Sequence, residues 1–145
     1  MDSDSSDSGG RPIAVEEPAG ELYTALPHGE ITRQIIGASI EVLNSLKPGL
    51  EEKIYENALI HELTLRGVET ENQKVFPVRY KDHPVGRLIP DLIVEGQVIV
   101  DTKVVTAFNE THLAQMLGYL AITGLKVGLL VNFHHSTLQW KRVQR

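Results

Sequence analysis

Cysteine is absent from the 145-residue chain, which excludes a disulfide framework, a thiolate zinc site and a thiol nucleophile. A reducing, cytoplasmic setting is the expectation that goes with this. Long apolar runs are missing too. None approaches the roughly 20 residues a spanning helix needs, and the N-terminus carries no apolar signal segment, so no membrane partner is expected. Nor is there an excess of positive charge, because 14 Lys and Arg stand against 19 Asp and Glu for a formal net charge of −5. Attraction of a polyanion by bulk charge is thereby excluded, and a nucleic-acid partner would need a local patch.

What is present is unevenly placed. Residues 1–30 hold seven acids (Asp2, Asp4, Asp7, Glu16, Glu17, Glu21, Glu30) against Arg11, whereas residues 31–145 hold 13 basic and 12 acidic groups. The opening MDSDSSDSGG is of low complexity, and no periodic apolar pattern starts before about Gly20. Residues 1–25 are therefore expected to form a disordered acidic tail, and residues 26–145 one domain of nearly neutral charge.

Within that domain, residues 31–46 (ITRQIIGASIEVLNSL) repeat apolar side chains at helical spacing and stop at Lys47-Pro48-Gly49. A second helix is predicted over 50–65, closed by Gly67. Three strands follow, over 73–80, 85–94 and 98–105, with Lys81-Asp82-His83-Pro84 turning the first pair into an antiparallel meander. A third helix starts at Asn109, a good N-cap, and runs to Ile122 before Gly124. Beside its apolar stripe lies a polar one, His112, Gln115 and Tyr119, which suggests a cavity wall. Residues 126–133 (KVGLLVNF) read as a strand buried on both faces, and 138–143 as a last strand.

The stretch PDLIVEGQVIVDTK, residues 90–103, departs from this apolar logic. Two strands folded back through Glu95-Gly96-Gln97 carry Asp91, Asp101 and Lys103 where a core strand should be apolar. Asp101 and Lys103, two apart, share a face. A plain two-residue turn sets Asp91 opposite Val100 and away from Asp101; a three-residue loop sets Asp91 directly opposite Asp101, with Cβ atoms roughly 5 Å apart. The second register gathers all three groups. Two buried carboxylates that close need a shared proton or a cation between them, and hard oxygen donors favour magnesium, manganese or calcium over zinc. An Asp–Lys ion pair at a strand end, with Asp91 as a turn residue after Pro90, is the other reading. Lys74, Arg79, Lys81 and Arg87 on the first two strands are either a solvated edge or phosphate contacts.

Helix, helix, three strands, helix, two strands, with Pro90-Asp91 on the second strand and Asp101-Thr102-Lys103 on the third, resembles the PD-(D/E)XK nuclease superfamily. More narrowly the chain is similar to the GxxExxY family within it. Gly49, Glu52 and Tyr55 spell that pattern in GLEEKIY, and Gln115 and Tyr119 in HLAQMLGYL and the strand GLLVNF also match. Asp101 stands where that family usually has glutamate. The resemblance spans residues 31–142 and implies an α/β, restriction-endonuclease-like fold of order ααβββαββ, a mixed central sheet flanked by helices. It also implies a Mg2+-dependent (alternatively Mn2+-dependent) phosphodiesterase site and DNA or RNA as partner. On that resemblance Asp91, Asp101 and the Thr102 carbonyl would hold the metal, and Lys103 would position and polarise the attacking water. Glu52 would close the site, and Gln115 would orient Lys103 or a phosphate oxygen. Tyr55, His112, Tyr119 and Arg87 complete the set as candidate substrate contacts. The alternative to a nuclease is a catalytically weak or silent module of the same fold that binds nucleic acid or a partner protein.

Overall fold

The computed structural model describes residues 27–145; the expected acidic tail, residues 1–25, lies outside the described residues. Helix α1, Gly29–Leu46, buries Thr32, Ile35, Ile36, Ser39, Val42 and Leu43, a stripe at three- and four-residue spacing. It stops at Lys47, whose positive φ of 69° precedes Pro48. Helix α2, Glu52–Leu65, buries Tyr55, Glu56, Leu59 and Leu63. Its end is set by Gly67 at φ 74°, where the Gly67 N–H donates to the Thr64 carbonyl (3.0 Å) and the Val68 N–H to that of Leu63 (2.9 Å). That is a Schellman motif, with buried Val68 and Leu63 supplying the apolar contact that usually accompanies it.

The strands are β1 Thr70–Glu71, β2 Phe76–Tyr80, β3 His83–Leu88, β4 Leu92–Val94, β5 Val98–Lys103, β6 Val127–Asn132 and β7 Gln139–Gln144, with helix α3, Glu110–Thr123, between β5 and β6. The order β1-β4-β5-β6-β7 makes one mixed sheet, while β2 and β3 pair only with each other. Within the sheet β5 and β6 run parallel, joined through α3, and the other neighbours are antiparallel. The predicted α/β architecture, a mixed sheet between helices, is therefore present.

Two strand expectations are corrected. The run 85–94 is not one strand, because Pro90 has no N–H to offer a ladder, and the chain leaves the β2–β3 hairpin at Leu88 and enters the sheet at Leu92. The three predicted strands are consequently five. Thr70–Glu71, too short to show periodicity, supplies the edge strand β1 against β4. Its anchor is Glu95, whose N–H donates to the Glu69 carbonyl (2.8 Å) and whose carboxylate accepts the Glu69 N–H (2.8 Å).

Strands β5 and β6 are covered on both faces, so the sheet divides two cores. Val98, Val100, Leu129 and Val131 pack with α1 and α2, whereas Ile93, Ile99, Leu130 and Val143 pack under Leu113, Met116 and Leu120 of α3. Alternation then places Asp101 and Lys103 with Ile99, and Asp91 with Ile93, on the α3 side. Gly128 allows α3 its approach: a Cβ there would lie 2.3 Å from Met116 Sδ.

Candidate functional site

The register that decides the site is set at the β4–β5 connection. Glu95 (φ 55°) and Gly96 (φ 65°) are both left-handed, and the Gln97 N–H closes onto the Val94 carbonyl at 3.0 Å, the signature of a type I′ turn. Val94 nevertheless pairs with Val98, so Gln97 is an extra residue and Leu92 falls opposite Val100. One step further puts Asp91 against Asp101, the register in which the acids meet. They do meet: after burial, side-chain hydrogen bonding with Asp101 and its charge are what most raise the pKa of Asp91. Two carboxyl groups make such a bond only when one keeps a proton. Burial, then this bond and the charge of Asp101, push Asp91 up to about 7, opposed by Lys103 and by the Thr102 N–H that donates to it. On the other side Lys103 Nζ lies 3.3 Å from Asp101 Oδ2. That oxygen is buried and accepts no hydrogen bond, and the Lys103 ammonium is its ion-pair partner.

Other elements bring further polar groups to this point. Glu52, at the first turn of α2, is an exposed residue whose carboxyl nevertheless loses hydration; that desolvation, followed by the charge of Asp91, raises its pKa, while Lys103 pulls it down. From α3, burial and then the charges of Asp101 and Asp91 raise the Tyr119 phenol, and burial and then Lys103 lower His112. His112 also completes a capping box with Asn109: its N–H donates to Asn109 Oδ1 (2.9 Å) and its Nδ1 accepts the Asn109 N–H (3.2 Å). Accepting at Nδ1 leaves the neutral ring's proton on Nε2. Gln115 is exposed on the same helix between these two residues.

Two expected site residues are not joined to this cluster. Tyr55 is fully buried, its ring stacked on Phe133 at 4.8 Å; its hydroxyl donates to the Lys47 carbonyl (2.5 Å) and accepts the Leu50 N–H (3.0 Å). Its expectation as a substrate contact is corrected, because no face of it is open. It ties the α1–α2 connection and so sets where Glu52 begins its helix. Arg87 is exposed on β3 and is not among the groups that act on Asp91. Conversely, Asn132 went unremarked. It is fully buried opposite Lys103, its Oδ1 accepts the Val105 N–H (3.0 Å), and its Nδ2 donates to the Val105 carbonyl (2.8 Å). The chain just past Lys103 is thereby clamped as if β5 continued. A lone amide in the apolar run GLLVNF was the signal.

Among the described residues no group of three His, Cys, Asp or Glu is gathered closely enough to hold a metal. The oxygen donors at the centre are the two aspartates, with Glu52 beyond them.

A family model of the PD-(D/E)XK nuclease superfamily matches residues 29–143. Among solved structures, the crystal structure of SSO0001 is similar with a TM-score of 0.52 at 14% identity, over 79% of this chain and 77% of that one. This likeness concerns the fold. No curated protein matches the chain significantly.

Proposed function

The chain belongs to the PD-(D/E)XK nuclease superfamily, and from that premise we propose that it hydrolyses phosphodiester bonds of DNA or RNA where Asp91, Asp101 and Lys103 converge. The observation that carries this reading is the carboxyl pair, whose proximity raises the pKa of Asp91, with an ammonium beside it. A divalent ion fits it. Mg2+ is typically held by one or two carboxylates and keeps several waters; the two aspartates meet that need, and Asp101 Oδ2, which accepts no hydrogen bond and pairs only loosely with Lys103 at 3.3 Å, offers a donor atom. Asp91 and Asp101 would hold Mg2+, or Mn2+ in its place, with the Thr102 carbonyl as a further donor. Such an ion supplies Lewis-acid activation of water and of the phosphoryl oxygen.

The chain's own groups do the rest. Lys103, held against Asp101, positions the attacking water and offsets charge building on the phosphoryl oxygens. Glu52, with its raised pKa, closes the site from α2 and is placed to accept a proton, directly or through water. Gln115 orients Lys103 or a phosphate oxygen, and His112 Nε2–H and the Tyr119 hydroxyl face the substrate as neutral donors. Gly49, Glu52, Tyr55, Gln115 and Tyr119 support membership of the GxxExxY family. There Tyr55 serves as a structural residue.

Hydrolysis of labelled duplex DNA, single-stranded DNA and RNA with Mg2+ or Mn2+ tests this reading. Wild type is expected to cleave only with metal, and folded Asp91→Ala and Lys103→Ala proteins to lose at least about a hundredfold in rate, the scale on which removing one transition-state donor acts. Variants as active as the parent would mean that a contaminant does the cutting. A silent binding module is the second reading, favoured by Asp101 being one methylene shorter than the usual glutamate. Its mark would be Mg2+ raising the melting temperature through Asp91 with no substrate cleaved.

A further inference from the structure

The β2–β3 hairpin is the part of the described chain that the sheet does not use. Phe76 at its base packs into the core under α3, but residues 79–87 are exposed without interruption, so the distal half projects as a ribbon with both faces in solvent. Its composition does not suit idle surface. Residues 73–89 carry Lys74, Arg79, Lys81 and Arg87 against Asp82, whereas residues 27–145 as a whole hold 13 basic and 13 acidic groups; the rest of the described body is therefore net acidic. Large apolar side chains are exposed here as well, Tyr80 at 63% and Val85 at 57%. Val85 is the bulged residue, since Val78 pairs with Gly86 and Arg79 with Pro84, and such a bulge increases the ribbon's twist. Pairing of Pro77 with Arg87 puts Arg87 on the same face as Arg79. Lys81 at the tip lies 5.4 Å from the centre of the Tyr80 ring.

We infer that this hairpin is a grip for duplex nucleic acid, with Arg79, Lys81 and Arg87 on phosphates and Tyr80 at the leading end, feeding the phosphodiester site beside it. A twisted two-stranded ribbon is the shape a major groove about 12 Å wide admits. Single-strand binding relies on successive aromatic platforms, and within 79–87 Tyr80 is the sole Phe, Tyr or Trp, with His83 the one other ring that could stack. Lys74 is left out of the grip because it pairs with Glu71 at 3.7 Å. Proximity supports the coupling: Leu88, the last residue of β3, precedes Asp91 by three residues, a reach of at most about 11 Å of extended chain.

The nature of the partner rests on the nuclease reading, and the test separates the two by measuring binding without divalent cation. A fluorescein-labelled duplex two helical turns long is titrated with the full chain in EDTA across a salt series, by fluorescence anisotropy. Arg79→Ala/Lys81→Ala/Arg87→Ala is expected to weaken binding at least about tenfold and to flatten the dependence of log Kd on log salt by about 2.7, since each lost phosphate contact contributes ~0.9. Exchanging Arg for Lys and Lys for Arg at the three positions should keep the slope. Should the triple variant melt early, the single Arg87→Glu protein is expected to give the same weakening. An unchanged Kd and slope in the triple variant would overturn the inference, as would equal loss on a single strand with none on the duplex. Competition by polyglutamate as strong as by unlabelled duplex would overturn it in favour of an acidic protein partner. Hairpin-dependent binding without cleavage in Mg2+ would leave the grip standing and remove only the enzyme.

Discussion

At the scale of single residues, Asp91 is the most informative position because its ionisation and the fold oppose each other. Burial and Asp101 push its pKa up to about 7 from an ordinary value of 3.8. Between those values the unfolded chain binds fewer protons at this group than the native one, so the slope of stability against pH is negative there. Without divalent cations, the melting temperature should therefore fall as pH rises from about 4 to 7 through this group, and Asp91→Asn should reduce that fall. Added Mg2+ reverses the demand by taking the proton's place. Its stabilisation should be larger above pH 7 than at pH 5, and calorimetry in buffers of different ionisation enthalpy should show protons released on binding. Equal Mg2+ stabilisation in wild type and Asp91→Asn would place the ion elsewhere. Asn132 makes the complementary case for a neutral group. Asn132→Ala strands both polar groups of Val105 and should cost about 2–3 kcal/mol, read as a lowered denaturant midpoint. Because Val105 follows Lys103 so closely, cleavage by the variant should fall beyond what its stability explains.

Elements rather than residues decide how these groups are brought together, and Gly128 on β6 shows how little space is allowed. A methyl there would meet Met116 Sδ at 2.3 Å and Cγ at 2.6 Å. Gly128→Ala is expected to destabilise by about 1–3 kcal/mol, as overpacked cores do, and to lift the helix that carries His112, Gln115 and Tyr119. Gly128→Ala/Met116→Ala should cost less than the two single changes added, and strict additivity in chemical denaturation would refute the clash. Much at this level was legible beforehand. Helices α1, α2 and α3 show in the 3.6-residue period, β5 and β6 in unbroken apolar runs, and the acid pairing in the parity of a three-residue loop. What was not legible depends on tertiary choices that local pattern does not encode. Pro90 could end a strand or sit at an edge, and only the sheet decides that β3 goes to the hairpin and β4 to the core. Strand β1 is held by Glu95, which bonds Glu69 across a separation of 26 residues, with no periodicity of its own. Tyr55 matched a family pattern, and a pattern does not distinguish a residue that touches substrate from one that fixes a helix start.

For the whole molecule the governing quantity is where charge sits in relation to the site. No helix among the described residues is long and apolar enough to cross a membrane, and residues 26–145 carry 13 basic and 13 acidic groups, so the full chain's −5 is contributed entirely by residues 1–25. On the proposed grip, a neutral body with a basic ribbon would hold a polyanion locally, while the net charge of −5 on residues 1–25 would oppose its approach. The opposition is long-range and therefore sensitive to salt, whereas close phosphate contacts persist over shorter distances. Removing residues 1–25 should consequently raise the association rate and affinity for duplex DNA a few-fold at low ionic strength, with the advantage fading as the Debye length falls to about 3 Å near 1 M salt. Stopped-flow association of labelled duplex with both proteins across a salt series measures this directly. A truncated protein that gains nothing at low salt would show that the first 25 residues carry their charge clear of the binding path, and that the hairpin alone sets the field the substrate meets.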